Sequence, residues 1–306
     1  MADIAAARPI EDRTAPVARG AVNLLFIAPA MLLFGGFVLL PVASALYYAF
    51  THWDGFTPPR WAGLANFQRA LADSVHLMSY VHVVLYILGT LVFEVAFGLL
   101  VAVLLNSDRR GFALLRGLFF SPVVLSMTAA GVLWAFVLDY RSGLLNSVLR
   151  ALGAGDLAQP WLSQPGTALV AIIIVSGWKY SGFYMVIFFA ALRRIPRNIF
   201  EAATLDGAGP VRGFFSITLP LLRQNVLVAV LLAITGGFAG FDLFFTMTNG
   251  GPFSATEVPA TWIMKQAFDQ NQLSYGIALT VVLAVVVMLI SLIYLRLSER
   301  LSVTRY

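Results

Sequence analysis

Three ionisable side chains, Glu94, Lys179 and Asp242, stand inside hydrophobic stretches that otherwise carry no acid, lysine or arginine. A charge in such a setting is costly, so it faces a cavity, a partner group or the interior of a helix bundle. Lys179 lies in SGWKYSGFYM, next to Trp178, Tyr180, Phe183 and Tyr184. Asp242 lies in TGGFAGFDLFF, one or two helical turns after Gly236 and Gly237 and directly after Phe241. Aromatic rings stack on the apolar faces of sugars while charged groups bind hydroxyls. Trp178, Lys179, Tyr180, Tyr184, Gly236, Gly237, Phe241 and Asp242 are therefore candidates for a carbohydrate path. The alternatives are a buried Lys179–Asp242 ion pair or a position nearer the membrane surface. Glu94 shares its stretch with His82, but 12 residues of helix separate them by about 18 Å, so they form no dyad. Serines and threonines in these stretches are expected to bond their own helix backbone.

Covalent and metal chemistry find no support in the sequence. There is no cysteine, hence no thiolate or disulfide. His52, His76 and His82 are few and scattered, and neither HExxH nor GxSxG occurs. No Walker A pattern is present, so any ATP must be hydrolysed by separate subunits.

The elements that hold these residues are membrane helices. Only 11% of the 306 residues are charged, 59% are hydrophobic and the mean hydropathy is +0.84; soluble domains carry about 25% charged residues. A span needs about 20 apolar residues. This places spans at 22–48, 77–105, 117–138, 167–191, 225–247 and 275–295, giving an all-α integral membrane protein of six transmembrane helices. The first run is too long for a signal-peptide core, despite the ASA at 43–45, and reads as an uncleaved helix. The expected division is a tail at 1–21, the first helix at 22–48, a loop at 49–76, a five-helix domain at 77–295 and a tail at 296–306.

Orientation follows from lysine and arginine placement. The two tails and the loops after the second and fourth spans hold 14 of them, led by Arg193, Arg194, Arg197, Arg212 and Arg223; the opposite loops hold five, and Lys179 lies within a span. By the positive-inside rule both termini are cytoplasmic, and the net charge of +5 reports topology rather than nucleic-acid binding. Trp53, Trp61, Trp161 and Trp262 fall in the opposite loops, where tryptophan anchors helices at the headgroup level.

A polar segment at 196–220 interrupts the apolar pattern. Asn198 reads as an N-cap with Glu201 three residues on, a capping-box pair. Gly207 stands where a helix ends in a left-handed turn, and Pro210 suits the first position of a second helix, which Pro220 interrupts before the fifth span. The expected product is a cytoplasmic helix–turn–helix. The adjacent Ala202 and Ala203 allow a groove or backbone to come close, as in helix-in-groove recognition. On helix grammar alone, the competing reading is an ordinary capped loop.

At this point the sequence resembles a family. Glu201-Ala202-Ala203, then Gly207, Ile217 and Leu219-Pro220 fill the signature of the EAA loop of ATP-binding-cassette importer permeases, and LRRIP before it and Asp206-Gly207-Ala208 within it resemble the carbohydrate-uptake branch. APAMLLFGGFVLLPVASALYYAFTHWDGF at 28–56 and WAGLANFQRAL at 61–71 resemble the opening of sugar-type permeases. FDLFFTMTNGGPFSATEV at 241–258 resembles the subunit type typified by the first maltose permease subunit. There is no long insertion between the third and fourth spans, as some members carry. The resemblance implies a type I importer permease in a bacterial cytoplasmic membrane, paired with a second homologous permease. Two ABC ATPase subunits that use ATP and magnesium, and an external solute-binding protein delivering a sugar-type substrate, complete the implied assembly. Glu201 would pair with a basic residue of the ATPase, Ala202 and Ala203 would permit close approach, and Gly207 would form the bend. This chain would bind no cofactor itself. A secondary transporter driven by an ion gradient, citing Glu94 and Asp242, is the alternative, and it leaves the 196–220 segment unexplained.

Overall fold

The computed structural model describes residues 26–107 and 111–302, with side chains through Ser298. The expected tail at 1–21, with Arg8, Arg13 and Arg19, lies outside them, as do Arg109, Arg110 and Arg305.

Four continuous helices are long and apolar enough to cross a membrane: α1 (Phe26–Ala49), α3 (Ser74–Leu104), α7 (Pro165–Leu192) and α13 (Leu273–Ser302, of which Leu273–Ser298 meets the length and hydropathy test). Between α1 and α3 lie a two-stranded hairpin, β1 (Thr51–His52) and β2 (Arg60–Trp61), and α2 (Ala65–Ala72). The rest are α4 (Phe112–Val124), α5 (Met127–Val137), α6 (Leu144–Ala151), α8 (Arg197–Leu205), α9 (Pro210–Leu221), α10 (Arg223–Phe238), α11 (Asp242–Met247) and α12 (Pro259–Met264). Counting the bent pairs α4–α5 and α9–α10 as one span each gives six by length and composition, the fifth of which crosses as α10.

Two expected spans are not single helices. The third, expected at 117–138, is α4 and α5 meeting at 98°. Ser121–Val124 tightens into a 3-10 turn carrying Pro122, Leu125 is extended, and Ser126 caps α5 by accepting the Ala129 N–H at 3.1 Å. Proline followed by a serine cap is a helix stop and start in four residues. The fifth, expected at 225–247, ends as α10 at Phe238 and resumes at Asp242, with Gly236 and Gly237 in the last turn before the break and Gly240 within it. The first span is described from Phe26; the second starts three residues before its expected start and ends at Leu104, and the last runs from Leu273 to Ser302, past its expected end.

α3 and α7 form the spine, drawn together at Gly98, where an added Cβ would stand 2.8 Å from the Ser181 carbonyl oxygen. One core gathers Val83, Tyr86, Ile172, Leu243 and Phe244. A second gathers Leu99, Tyr184, Phe188 and Leu222 near the 196–220 segment. Much of the remaining apolar surface faces outward: Phe26, Leu32 and Phe37 of α1 are 80%, 76% and 79% exposed. Such a face suits lipid or another membrane subunit, not water.

At the opposite end of the bundle the tryptophans do more than anchor. Trp53 stacks on Tyr48 with ring centroids 4.2 Å apart, and Trp161 donates to Asn146 Oδ1 at 2.9 Å. Asp73 ties three helices. Its Oδ1 caps α3 by accepting the N–H groups of Val75 and His76 at 3.1 and 3.0 Å, and its Oδ2 accepts from Trp262 Nε1 at 2.9 Å and Tyr275 Oη at 2.7 Å. Burial pushes this carboxyl up, but the bonds from His76, Tyr275 and Trp262 outweigh it and hold the group below its ordinary value. A depressed folded value means stability that is present above the unfolded value and lost as pH falls through the folded one. Asp73→Asn keeps a capping oxygen but replaces the charged acceptor of the Trp262 and Tyr275 bonds by a neutral amide, and is therefore expected to lower stability by about 1 kcal/mol at neutral pH, with the difference closing below about pH 4. Thermal unfolding of the two proteins at pH 7 and pH 3.5 checks this.

Candidate functional site

A cavity of 350 Å³ lies between α3, α7 and α10, with Met127 of α5 and the α10–α11 break at its rim. Six expected path residues line it: Tyr180, Tyr184, Gly236, Gly237, Phe241 and Asp242. α7 presents Tyr180 and Tyr184 on one face, since residues four apart stack along a helix. Gly237 lets α10 close onto α3, because a Cβ there would collide with Ile87. Gly236 faces open space. The break turns the chain so that Phe241 stacks on Phe245 with centroids 5.0 Å apart, while Asp242 starts α11 with its side chain exposed at the cavity.

The same cavity holds Tyr86, Thr90 and Glu94 of α3, which sequence reasoning did not place there. Glu94 sits in a π-helical segment, Leu91–Ala96, an extra-residue turn that re-aims side chains and recurs at functional sites. It is 5% exposed and accepts from Ser176 Oγ at 2.6 Å, and Ser176 Oγ is 2.7 Å from Tyr86 Oη. Most span hydroxyls bond their own helix, as Thr90 does to the Ile87 carbonyl and Thr235 to that of Leu231. Ser176 is the exception that matters. The signal was the lone acid in an apolar run; its distance from His82 hid the serine 82 positions away.

Trp178 and Lys179 lie outside the cavity. Trp178 meets Trp134 edge-on at 5.4 Å and lines an apolar groove with Phe93 and Phe119 on another face of α7. Lys179 is 3% exposed, and its Nζ donates to the carbonyls of Leu125 (2.6 Å), Val123 (3.3 Å) and Pro122 (3.4 Å). It does not line the cavity and makes no ion pair with Asp242; it caps the end of α4, supplying a donor to the Val123 and Leu125 carbonyls, while that of Pro122 also accepts the Leu125 N–H at 3.2 Å.

At the other functional end, 196–220 is two short helices as expected, with a different start. Pro196, extended at ψ 136°, is the N-cap of α8, Asn198 lies inside the helix, and no side chain makes a capping bond. Proline sets the entry to α8, so Glu201 is not occupied in a capping box. Gly207 is left-handed at φ +75°; its N–H bonds the Thr204 carbonyl at 3.1 Å and that of Ala208 bonds Ala203 at 2.9 Å, a Schellman ending. α9 starts at Pro210 and runs through Pro220, with a π-helical turn at Phe214–Thr218 before the proline, and bends 73° into α10 at Leu222.

The two short helices differ in burial. Phe214 and Leu219 of α9 pack on the second core, Thr218 is buried and Ile217 half-buried. α8 buries nothing: Glu201, Ala202 and Asp206 are exposed, Ala203 is half-buried and Leu205 is 89% exposed. α9, fastened to the core, links the exposed α8 to α10 through a 73° bend. Among the described residues no group of three or more His, Asp or Glu could hold a metal.

Comparison with known proteins agrees with this architecture. Residues 94–303 match the family described as the binding-protein-dependent transport system inner membrane component. The chain is 34% identical to the probable ABC transporter permease protein YurN of Bacillus subtilis over 90% of its length and 95% of the relative's. It is 33% identical to the diacetylchitobiose uptake permease NgcF of Streptomyces coelicolor, over 86% of its length and 78% of the relative's. A crystal structure of a bacterial ABC transporter that imports the acidic polysaccharide alginate superposes with a TM-score of 0.83 at 20% identity, over 94% of this chain and 98% of that one.

Proposed function

The chain belongs to the binding-protein-dependent transport inner-membrane-component family of ABC permeases, and from that premise we propose that it forms half of the path for a sugar or sugar-like solute, moved inward by ATPases docked on α8. As a permease it is the membrane subunit of a binding-protein-dependent importer, and ATP is consumed by partner subunits. The observation that carries the solute reading is the cavity itself, whose lining joins the rings of Tyr180, Tyr184 and Phe241 with the carboxyl groups of Glu94 and Asp242. Aromatic faces and hydroxyl acceptors at one site are what a polyhydroxylated solute requires.

The mechanism rests on connectivity. α8 is the exposed surface, α9 is fastened to the core through Phe214 and Leu219, and α10 carries Gly236 and Gly237 at the cavity wall. A push on α8 travels through the bend at Leu222 into the helix that lines the solute path. We place α8, α9 and both termini in the cytoplasm on the arginine count, with the Asp73 end facing the binding protein. A second permease closes the cavity's open side and covers apolar faces such as that of α1. The domain division at 1–21, 22–48, 49–76, 77–295 and 296–306 belongs to the same reading.

The test uses the complete transporter in proteoliposomes with a panel of radiolabelled mono- and disaccharides. Uptake is expected to need lumenal ATP and the binding protein, and to persist when ionophores collapse proton and sodium gradients. Uptake abolished by ionophores with ATP intact would mean an ion-driven carrier instead.

A further inference from the structure

The walls of the cavity carry acids and no base, although a lysine lies one residue from its lining. Fifteen residues line it; two are carboxylic acids, Glu94 and Asp242, and none is Lys, Arg or His. The neighbouring cation, Lys179, stands 5.2 Å from the Tyr180 ring centroid, but its ammonium is spent on the carbonyls of Pro122, Val123 and Leu125. Glu94 is fixed in place by Ser176 and hence by Tyr86, so it cannot swing away from the wall. The π-helical turn of α3 aims it there.

We infer that this cavity is a charge filter: it passes uncharged or cationic sugars and polyols and rejects anionic ones such as uronates, sulfonates and sugar phosphates. Asp242 is exposed at the cavity, and the described lining, buried Glu94 included, carries no basic side chain, so an anionic solute entering this low-dielectric space meets a repelling carboxylate and no counter-ion. Rejection by an unpaired repulsive group is a common route to specificity. Family membership does not decide this point, because the structurally similar alginate importer carries an acidic polysaccharide. The inference rests on the reading of this cavity as the solute path.

The absence of cysteine from the chain makes the filter measurable without knowing the solute. At Gly236 an added side chain meets nothing within 4 Å and faces the cavity. Gly236→Cys, in the complete nucleotide-free transporter, is treated with cationic trimethylammonium-ethyl or anionic sulfonato-ethyl methanethiosulfonate, and labelling is read from the intact mass of this chain. Each reaction joins the cysteine sulfur to the reagent's thioalkyl group and releases methanesulfinate. The cationic reagent is expected to react at least about tenfold faster relative to the anionic one than it does with free cysteine, because the described lining offers an exposed carboxylate, Asp242, and no basic side chain. Glu94→Gln with Asp242→Asn should return the ratio to that of free cysteine. A ratio equal to free cysteine in the starting background, or a cation preference that survives both substitutions, overturns the filter; Ala239→Cys, also on the lining, serves as a second reporter if Gly236→Cys assembles poorly. Sugar uptake after labelling separates this result from the path reading. Loss of uptake without charge preference sinks the filter alone, whereas charge preference with uptake intact sinks the path.

Discussion

Glu201→Arg is expected to abolish ATP-driven uptake, by at least about 100-fold, while the permease itself folds and inserts normally. The second half of that expectation follows from exposure: Glu201 is on the surface of α8, a helix that buries no residue and has no side-chain cap. Surface changes of this kind shift stability by about 0.5 kcal/mol or less. The first half follows from what the surface is for. A short helix with the small residues Ala202 and Ala203 beside an unpaired acid, and Leu205 exposed one turn further, suits a close-fitting groove with a basic group in it. Truncating one partner of a charge pair in a buried interface costs about 2–5 kcal/mol, and charge reversal adds repulsion, so affinity falls by some two to four orders of magnitude. The measurements are co-purification of the ATPase with tagged permease, and ATP-dependent uptake in proteoliposomes. Normal co-purification and normal uptake together would show that α8 is not the coupling surface.

Lys179→Met should lower the stability of the membrane domain by about 2–4 kcal/mol, because carbonyls at the broken end of α4 lose their donor in a buried setting. Lys179 is 3% exposed, and its shortest bond, 2.6 Å to the Leu125 carbonyl, lies where the chain turns through 98° into α5. Methionine keeps the length and apolar stem of lysine, so the lost ammonium is the main change. Thermal unfolding in detergent reads the effect. The turn also positions Met127 at the cavity rim, so uptake should fall as well. Lys179→Arg, which keeps a charge and several donors, should recover part of the stability. Unchanged unfolding combined with a loss of solute affinity alone would place the lysine in the solute path, as the aromatic company of Lys179 first suggests.

The contrast between these residues shows where sequence reading holds and where it fails. The helix pair at 196–220 is legible because its signals are local: Gly207 ends α8 and Pro210 opens α9 within a few residues of the bonds they set. The six-span pattern is legible for a similar reason, since burial in lipid demands apolar side chains along the whole run. Asn198 was misjudged because Pro196 supplies an extended entry residue two positions earlier. The breaks in the third and fifth spans were missed although Pro122, Ser126 and the glycines before Asp242 were in view. Hydropathy is blind to a stop inside an apolar run, and membrane helices often pass through proline and glycine unbroken.

The chain's class, the number of its apolar runs, the short helix pair at 196–220 and the lack of a Walker A motif were all determined by the sequence alone, because each depends on contiguous residues or on a short motif. Only the tertiary structure decided which buried ionisable group lines the cavity. Lys179 is matched to carbonyls 54 to 57 positions away, and Glu94 to a serine 82 positions away. A buried polar group is settled by whichever partners packing brings within about 3 Å. That proximity arises from helices folding together rather than from their order along the chain, so two charges equally conspicuous in the sequence came to opposite ends: the lysine as a structural cap, the glutamate as a wall of the cavity.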